Sequence, residues 1–448
     1  MQAFHAYDIR GIYNQDFNKE DAYKIGFFLP QLMKTNKILV GRDVRVSSPE
    51  IYAELSKGIM DAGADIYNAG LCTTPMIYFL TAKFNFDASV MITASHNGKE
   101  YNGMKISRTN ALPVGYDNGL NKLEELIKTK ITIDKKAGKE IEFDKHSIYE
   151  AFLREYVSDK LQELDITIDI SNGMAGLFVK SLMGDKVHYL FDDLDGSFPN
   201  HEANPLNPEN VVDLQKAVLE NKSDIGVIFD GDADRVMFVD EKGNFISPDL
   251  MIGVLGHYFL KGKTDKTKVL QDIRTTKAVE EYLSKIGNIE MHTWKVGRAF
   301  AAIKLRELDG LWGGELAGHY YFKDFYYSDS GILAMLLILD VVADFKAKGI
   351  SISELIDSIK GYANSGEINF KIAQKKEAME AVREHFSTND SPTRFLDFDG
   401  YRLEFEDWWF NIRPSNTEPY LRLIVEARTN SILDEKLTAI KKIIAQFN

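Results

Sequence analysis

The sequence predicts an α/β protein that changes to α+β character near its C-terminal end. Three observations carry this expectation. The 448 residues suffice for about three compact units at roughly 150 residues each, with two or four inside the same allowance. From Lys37 onward, strand and helix signals alternate in three successive passes, the third weaker than the others. After Gly366 the alternation stops.

In the first pass Ile38-Leu39-Val40 reads as a short buried strand ended by Gly41. Ser47-Ser48-Pro49-Glu50 has the spacing of a capping box with proline near the first turn, so a helix is expected to begin there. Ile51, Leu55 and Ile59 continue it at helical spacing, and Asp65-Ile66-Tyr67 and Ala88 to Thr93 read as two more strands of a βαβαβ unit. Lys122 to Lys145 is charged and poor in apolar residues, as a linker or exposed crossover would be. The second pass places strands at Ile166 to Ile170, Val187 to Leu190 and Ile225 to Phe229. Helices are expected at Gly176 to Met183 and after Asn207-Pro208, where Val211, Leu214 and Val218 share one face. In the third pass a strand at Lys268 to Gln271 lies among helices at Asp249 to Leu260, Lys277 to Ile286 and Ser330 to Lys346. The closing segment offers strands at Glu367 to Phe370, Tyr401 to Glu406, Trp409 to Ile412 and Leu421 to Ala427, with helices at Lys375 to Phe386 and Leu433 to Phe447.

Composition narrows the function. Hydrophobic residues at 44% and charged residues at 27% are ordinary for a globular chain that buries a core. The net charge of −13 argues against a general nucleic-acid binder, which needs clustered Lys and Arg for phosphate backbones. The longest apolar stretch, Ile332 to Leu339, ends at Asp340 and is well short of the roughly 18 residues a membrane span requires. The segment Met1 to Tyr13 lacks a basic flank followed by an apolar run, so no secretory signal is expected. Cys72 is the lone cysteine, which makes a reducing cytoplasm the simple reading.

Four motifs carry chemistry. Asp230-Gly231-Asp232-Ala233-Asp234-Arg235 places three carboxylates at i, i+2 and i+4 directly after an apolar strand. Their oxygens can converge on one hard cation, Mg²⁺ or Mn²⁺, and would repel strongly without one; a solvated acidic hairpin is the competing reading. An EF-hand is excluded, because Arg235 stands where that loop needs glycine and strands flank the motif where helices are required. Thr93-Ala94-Ser95-His96-Asn97-Gly98 follows a strand at the carboxyl edge where open α/β sheets place ligands, which makes Ser95 a candidate nucleophile or phosphate carrier. Ser, His and Asn are also ordinary turn formers. Lys105 is close enough in sequence to share that site. Arg413-Pro414-Ser415-Asn416-Thr417-Glu418-Pro419 groups a guanidinium, two hydroxyls and an amide suited to a phosphate, or forms a proline-bounded polar turn. Gly314-Glu315-Leu316-Ala317-Gly318-His319 sets a carboxylate and an imidazole between glycines, suited to sugar hydroxyls and proton transfer.

Taken together and in this order, these segments resemble the α-D-phosphohexomutase superfamily, most closely its bacterial phosphomannomutase/phosphoglucomutase group. Tyr7-Asp8-Ile9-Arg10-Gly11, Gly41-Arg42-Asp43-Val44-Arg45, Asp195 to His201 and Asn204-Pro205 extend the match over nearly the whole chain. The resemblance implies four domains around a central cleft, three of a shared α/β type and a smaller α+β one. Residues 1–145 would carry the phosphoserine loop and 146–248 the metal loop, while 249–362 would carry the sugar loop and 363–448 the phosphate loop. It further implies that Ser95 is carried as a phosphoserine, that Asp230, Asp232 and Asp234 hold Mg²⁺ together with it, and that Arg235 sits beside them. Arg10, Lys105 and His319 would serve phosphoryl and proton transfer. Glu315 would bind sugar hydroxyls, Lys295 would lie on a loop that contacts the sugar phosphate, and Arg413, Ser415, Asn416 and Thr417 would hold the substrate's non-reacting phosphate. Three positions depart from the group: Gly98 stands where proline is frequent, Ala317 where serine is, and Arg298 where histidine is.

The implied reaction interconverts hexose 6-phosphate and hexose 1-phosphate, of mannose and/or glucose, through a hexose 1,6-bisphosphate. Sugar phosphates are then the partners, with no nucleic acid or membrane, and no oligomeric state is implied. Phosphoglucosamine mutase, a metal-dependent sugar phosphatase and a non-catalytic sugar-phosphate-binding protein are the rival readings at this stage.

Overall fold

The computed structural model describes residues 3–415 and 420–447. Among these residues the chain forms four sheets, and the first three repeat one topology. In the first, strands Asp65–Leu71, Lys37–Arg42 and Ala88–Ile92 are parallel, and Tyr101–Arg108 and Ile9–Ile12 follow antiparallel. In the second, His188–Leu190, Ile166–Asp169 and Ile225–Phe229 are parallel, followed by antiparallel Val236–Asp240 and Phe245–Ile246. The third sheet sets Ile289–Trp294, Thr267–Asp272 and Trp312–Gly314 parallel and adds antiparallel Tyr320–Phe322 and Ser328–Asp329. The C-terminal sheet is antiparallel along Arg394–Leu396, Tyr401–Glu404, Trp408–Pro414 and Leu421–Ala427, with Ile368–Phe370 and Ala363–Asn364 both pairing the last.

Burial explains the strands. Ile38, Leu39 and Val40 are fully buried, as is all of Ile225–Phe229, which is the pattern of parallel strands covered on both faces. The apolar run Ile332 to Leu339 lies inside helix Gly331–Lys346, which starts from the Ser330 cap and joins a core shared by Leu39, Ile168 and Val269 of the three α/β sheets. No helix among the described residues is long and apolar enough to cross a membrane. The C-terminal unit has its own core, including Leu403, Phe410, Val425 and Ile440.

Several expectations are corrected. Helix Ser48–Asp61 begins where expected, yet Ser47 has a helical backbone (φ −83°, ψ −14°) and makes no capping bond; its hydroxyl accepts from Asn102 Nδ2 (2.8 Å) instead. Within the charged crossover, Leu120–Leu126 is helical and Glu140–Glu142 joins the edge of the first sheet beside Asp65–Leu71. Residues 174–183 divide into a 3₁₀ turn and the short helix Val179–Met183. Lys105 sits mid-strand in Tyr101–Arg108, and helices Thr74–Lys83 and Arg298–Leu308 complete passes that the periodicity leaves incomplete.

Candidate active site

The shared topology puts three functional loops in equivalent places. Each follows the third parallel strand and leads into the first antiparallel one: Thr93 to Glu100, Asp230 to Arg235 and Glu315 to His319. They converge where the three α/β sheets meet, at the carboxyl ends of parallel strands.

Ser95 is buried and has a left-handed backbone, φ 51°. Its backbone N–H donates to Thr93 Oγ1 (2.9 Å), and its hydroxyl donates to Asp230 Oδ2 (2.7 Å). One buried guanidinium shapes the rest of the loop: Arg45, paired with Asp43, donates to the carbonyls of Ser95, Asn97 and Gly98 (2.7 Å each) and Tyr101 (3.1 Å). Gly231 is required by close approach, since a Cβ there would lie 2.6 Å from the Ser95 carbonyl oxygen.

Asp230, Asp232 and Asp234 are all buried, and one oxygen of each lies within 4.8 Å of the others. Burial, followed by the charges of Asp234 and Asp232, pushes the Asp230 carboxyl well above its ordinary range. For Asp234, burial acts upward, but Lys105, His319 and Arg235 outweigh the upward effects and hold the carboxyl low. Lys105 Nζ donates to Asp232 Oδ2 (2.6 Å) and to Asp234 Oδ2. Burial disfavours that ammonium, and the two carboxylates more than compensate, so its pKa is raised. Thr74, at the start of a helix, donates through Oγ1 to Asp232 Oδ2 (2.5 Å) and through its N–H to the Asp232 carbonyl (3.0 Å). Asp232 Oδ1 and Asp234 Oδ1 are buried without a hydrogen-bond partner among the described residues. Three buried carboxylates this close together, with two oxygens lacking hydrogen-bond partners, fit a hard divalent cation. Asp234, His319 and Asp329 form a second close set, but both His319 nitrogens already face protein partners.

The proton-transfer candidates adjoin this cluster. His319 Nδ1 lies 2.8 Å from Asp329 Oδ2, and Arg235 Nε donates to Nε2 (3.0 Å), which makes the neutral Nδ1–H tautomer the fitting one. Arg10 donates to Asn97 Oδ1 (2.8 Å) and pairs with Asp8. His96 Nδ1 approaches Ser95 Oγ at 3.4 Å; burial and then Arg235, Arg10 and Lys105 depress its pKa, so the ring stays neutral. Glu315 accepts from Tyr321 Oη (2.7 Å) and from the Gly297 N–H (3.2 Å), and burial raises its carboxyl.

The second group of candidates gathers around Asp399. Val296, next to Lys295, donates its N–H to Asp399 Oδ2 (2.8 Å), and Arg413 Nη1 lies 3.6 Å from Asp399 Oδ1. Lys295 Nζ sits 5.3 Å over the Phe300 ring. Arg413 is buried, and its Nε and Nη1 lack hydrogen-bond partners among the described residues, as donors awaiting an anion would. Ser415 N–H donates to the Tyr420 carbonyl (2.9 Å), whereas Asn416 and Thr417 lie outside the described residues. Arg274, which motif reading missed, is buried against Asp272 (2.8 Å), and its nearness helps depress the Arg413 pKa after burial itself. Arg45, Thr74 and Asp329 were also missed. A signal existed for the arginines: Asp43-x-Arg45 and Asp272-x-Arg274 both follow the second parallel strand of their sheet.

Comparison with known proteins agrees with this geometry. The phosphoglucomutase/phosphomannomutase α/β/α domains I, II and III match residues 1–133, 146–243 and 247–362, and the C-terminal domain of the same family matches 367–443. A phosphomannomutase of Vibrio cholerae is 36% identical over 474 aligned residues, covering 100% of this chain and 99% of that protein. One from Escherichia coli K12 is 36% identical over 98% of this chain and 97% of its own length. The crystal structure of a phosphoglucomutase/phosphomannomutase family protein from Burkholderia thailandensis superposes with a TM-score of 0.87 at 26% identity, covering 99% of this chain and 97% of that one. With four domains matched in order and relatives aligned from end to end, the chain belongs to the phosphoglucomutase/phosphomannomutase family of the α-D-phosphohexomutase superfamily and is a phosphohexomutase.

Proposed function

We propose that this enzyme interconverts the 6- and 1-phosphates of mannose and/or glucose by way of a phosphoserine at Ser95 and a hexose 1,6-bisphosphate intermediate. The carrying observation is the position of the Ser95 hydroxyl, buried and 2.7 Å from Asp230 among the three aspartates, Lys105 and Arg235. In the first half-reaction the bond from phosphorus to Ser95 Oγ breaks, one to a free sugar hydroxyl forms, the sugar hydroxyl gives its proton to a basic group of the site, and Ser95 Oγ takes up a proton as it leaves. In the second, after the bisphosphate turns over, the other phosphoryl returns to Ser95 and the isomeric monophosphate departs. Lys105 and Arg235 supply positive charge beside the transferring oxygens, and His319, whose Nδ1–H faces Asp329 and whose Nε2 accepts from Arg235, would exchange the substrate proton at Nε2 once Arg235 Nε turns to a phosphoryl oxygen. Asp230, Asp232 and Asp234 would hold Mg²⁺ with the Ser95 phosphoryl, and the ion supplies neutralisation of charge on the phosphoryl oxygens.

Arg413, with Arg274 beside it and Ser415 two residues on, fits the phosphate that is not reacting, and Lys295 and Glu315 fit the sugar end. A grip remote from Ser95 lets a monophosphate bind in either orientation. The buried thiol of Cys72 suits a reducing cytoplasm.

Intact-mass measurement should find one phosphoryl increment on Ser95, and Mg²⁺-dependent isomerisation should be seen with mannose or glucose 1-phosphate. Ser95→Ala should lose the increment and lower turnover by more than about 10⁴-fold, beyond the range of a single acid or base. Persistent isomerisation in that variant refutes the mechanism, and hydrolysis without isomerisation assigns a phosphatase instead.

A further inference from the structure

Arg298 occupies the first position of helix Arg298–Leu308, directly after the Lys295 loop. Its side chain is engaged by protein partners. Nε donates to Asp329 Oδ1 (3.0 Å), Nη2 donates to the Ala111 carbonyl (3.1 Å), and the guanidinium carbon lies 3.4 Å from the Tyr78 ring centroid. Tyr78 and Ala111 belong to the first α/β unit, so one planar group is pinned on two sides before it meets Asp329.

Asp329 is fully buried and divides its oxygens, Oδ1 to Arg298 and Oδ2 to His319 Nδ1. A second carboxylate stands close by, since Asp234 Oδ1 lies 3.8 Å from the same nitrogen. If Asp329 rotated, His319 would turn toward Asp234, or shift its proton to Nε2 and confront the Arg235 donor. We infer that Arg298 is a positioning residue for His319: by locking the Asp329 carboxylate it fixes the imidazole as the Nδ1–H tautomer and ties that ring to the loop bearing Lys295. The inference builds on the proposed function, in which His319 exchanges the substrate proton. Gly297 strengthens the link, since its N–H donates to Glu315, so consecutive residues of one loop engage the sugar-binding carboxylate and the His319 support.

The test uses the Mg²⁺-loaded full chain. Arg298→Gln should lower kcat about 10- to 100-fold, the usual cost of losing a group that orients a functional histidine, while KM changes less than about twofold. In a His319→Gln background the same change should add less than about twofold, because both substitutions remove one interaction. Arg298→Lys, which keeps the charge, should recover part of kcat and serves as the probe should the glutamine variant fail to fold. Nitrogen-15 spectra of labelled histidine should show the Nδ1–H tautomer of His319 in the parent and a mixture in Arg298→Gln. An equal loss of kcat in both backgrounds, or an unchanged tautomer, overturns the inference. Absence of isomerisation in the parent would instead overturn the proposed function, and the tautomer measurement would still decide the role of Arg298.

Discussion

Ser95 shows how much of a site depends on a single backbone conformation. A serine at φ 51° is costly by about 1–3 kcal/mol, and the four carbonyls gripped by Arg45 are what hold its loop in that shape. Gly231 then lets the aspartate loop come against the Ser95 carbonyl. Gly231→Ala should force the two loops apart and lower kcat about 10²-fold, the cost of a misplacement near 1 Å, with the circular dichroism of the folded chain retained. A kcat within twofold of the parent would show that the contact is slack. Ser95 and the three aspartates stood out as candidates by residue type and spacing, each with a bland competing reading, and the order of the motifs along the chain singled them out. Arg45, Thr74 and Asp329 did not, since each matters through partners that only folding brings near; Thr74 and Asp232 are 158 positions apart.

Among the secondary-structure elements, the repeated topology explains why three unrelated motifs make one centre. In each α/β sheet the third parallel strand delivers its loop to the same edge, with Ser95 in the first, the aspartates in the second and Glu315 to His319 in the third. The second parallel strand ends in an Asp-x-Arg turn in the first and third sheets and in Asp169-x-Ser171 in the second, with the aspartate accepting the N–H two residues on. The paired C-terminal strands Trp408–Pro414 and Leu421–Ala427 bury a carboxylate of another kind. Glu426 accepts from Trp409 Nε1 (2.7 Å) and Asn364 Nδ2 (2.6 Å), faces Asp249, Thr276 and Arg402, and is pushed by burial, then by Asp249, from 4.5 to about 7. Between those values the folded chain binds more protons than the unfolded chain, so stability falls as pH rises, by on the order of 3 kcal/mol in total. Glu426→Gln should flatten this fall, and urea midpoints at pH 5 and pH 8 will measure it. Parallel curves for parent and variant would mean that Glu426 titrates normally.

The architecture as a unit joins a core shared by the three α/β units, flanked by further clusters within each of them, to a C-terminal domain with a core of its own. Arg402 is the buried tie: it pairs with Glu404 (2.7 Å), lies 3.8 Å from the Trp409 ring centroid and donates to the carbonyls of Ile273 and Thr275, on either side of Arg274. Arg402→Ala should loosen this docking, increase the radius of gyration in X-ray scattering and raise KM for the sugar phosphate about tenfold, because the phosphate grip and the sugar loop would no longer be held in register. An unchanged scattering profile would assign the tie to local packing alone. Hydropathy and turn chemistry, which act over a few residues, were enough to set most strands and helices, the change of grammar after Gly366 and the positions of the acidic and serine loops after their strands. The union of those loops, the splitting of Asp329 between Arg298 and His319, and the tie of Arg402 in the last domain to the Ile273 and Thr275 carbonyls came only with folding. They depend on distances between groups far apart along the chain, and local propensity carries no record of such distances.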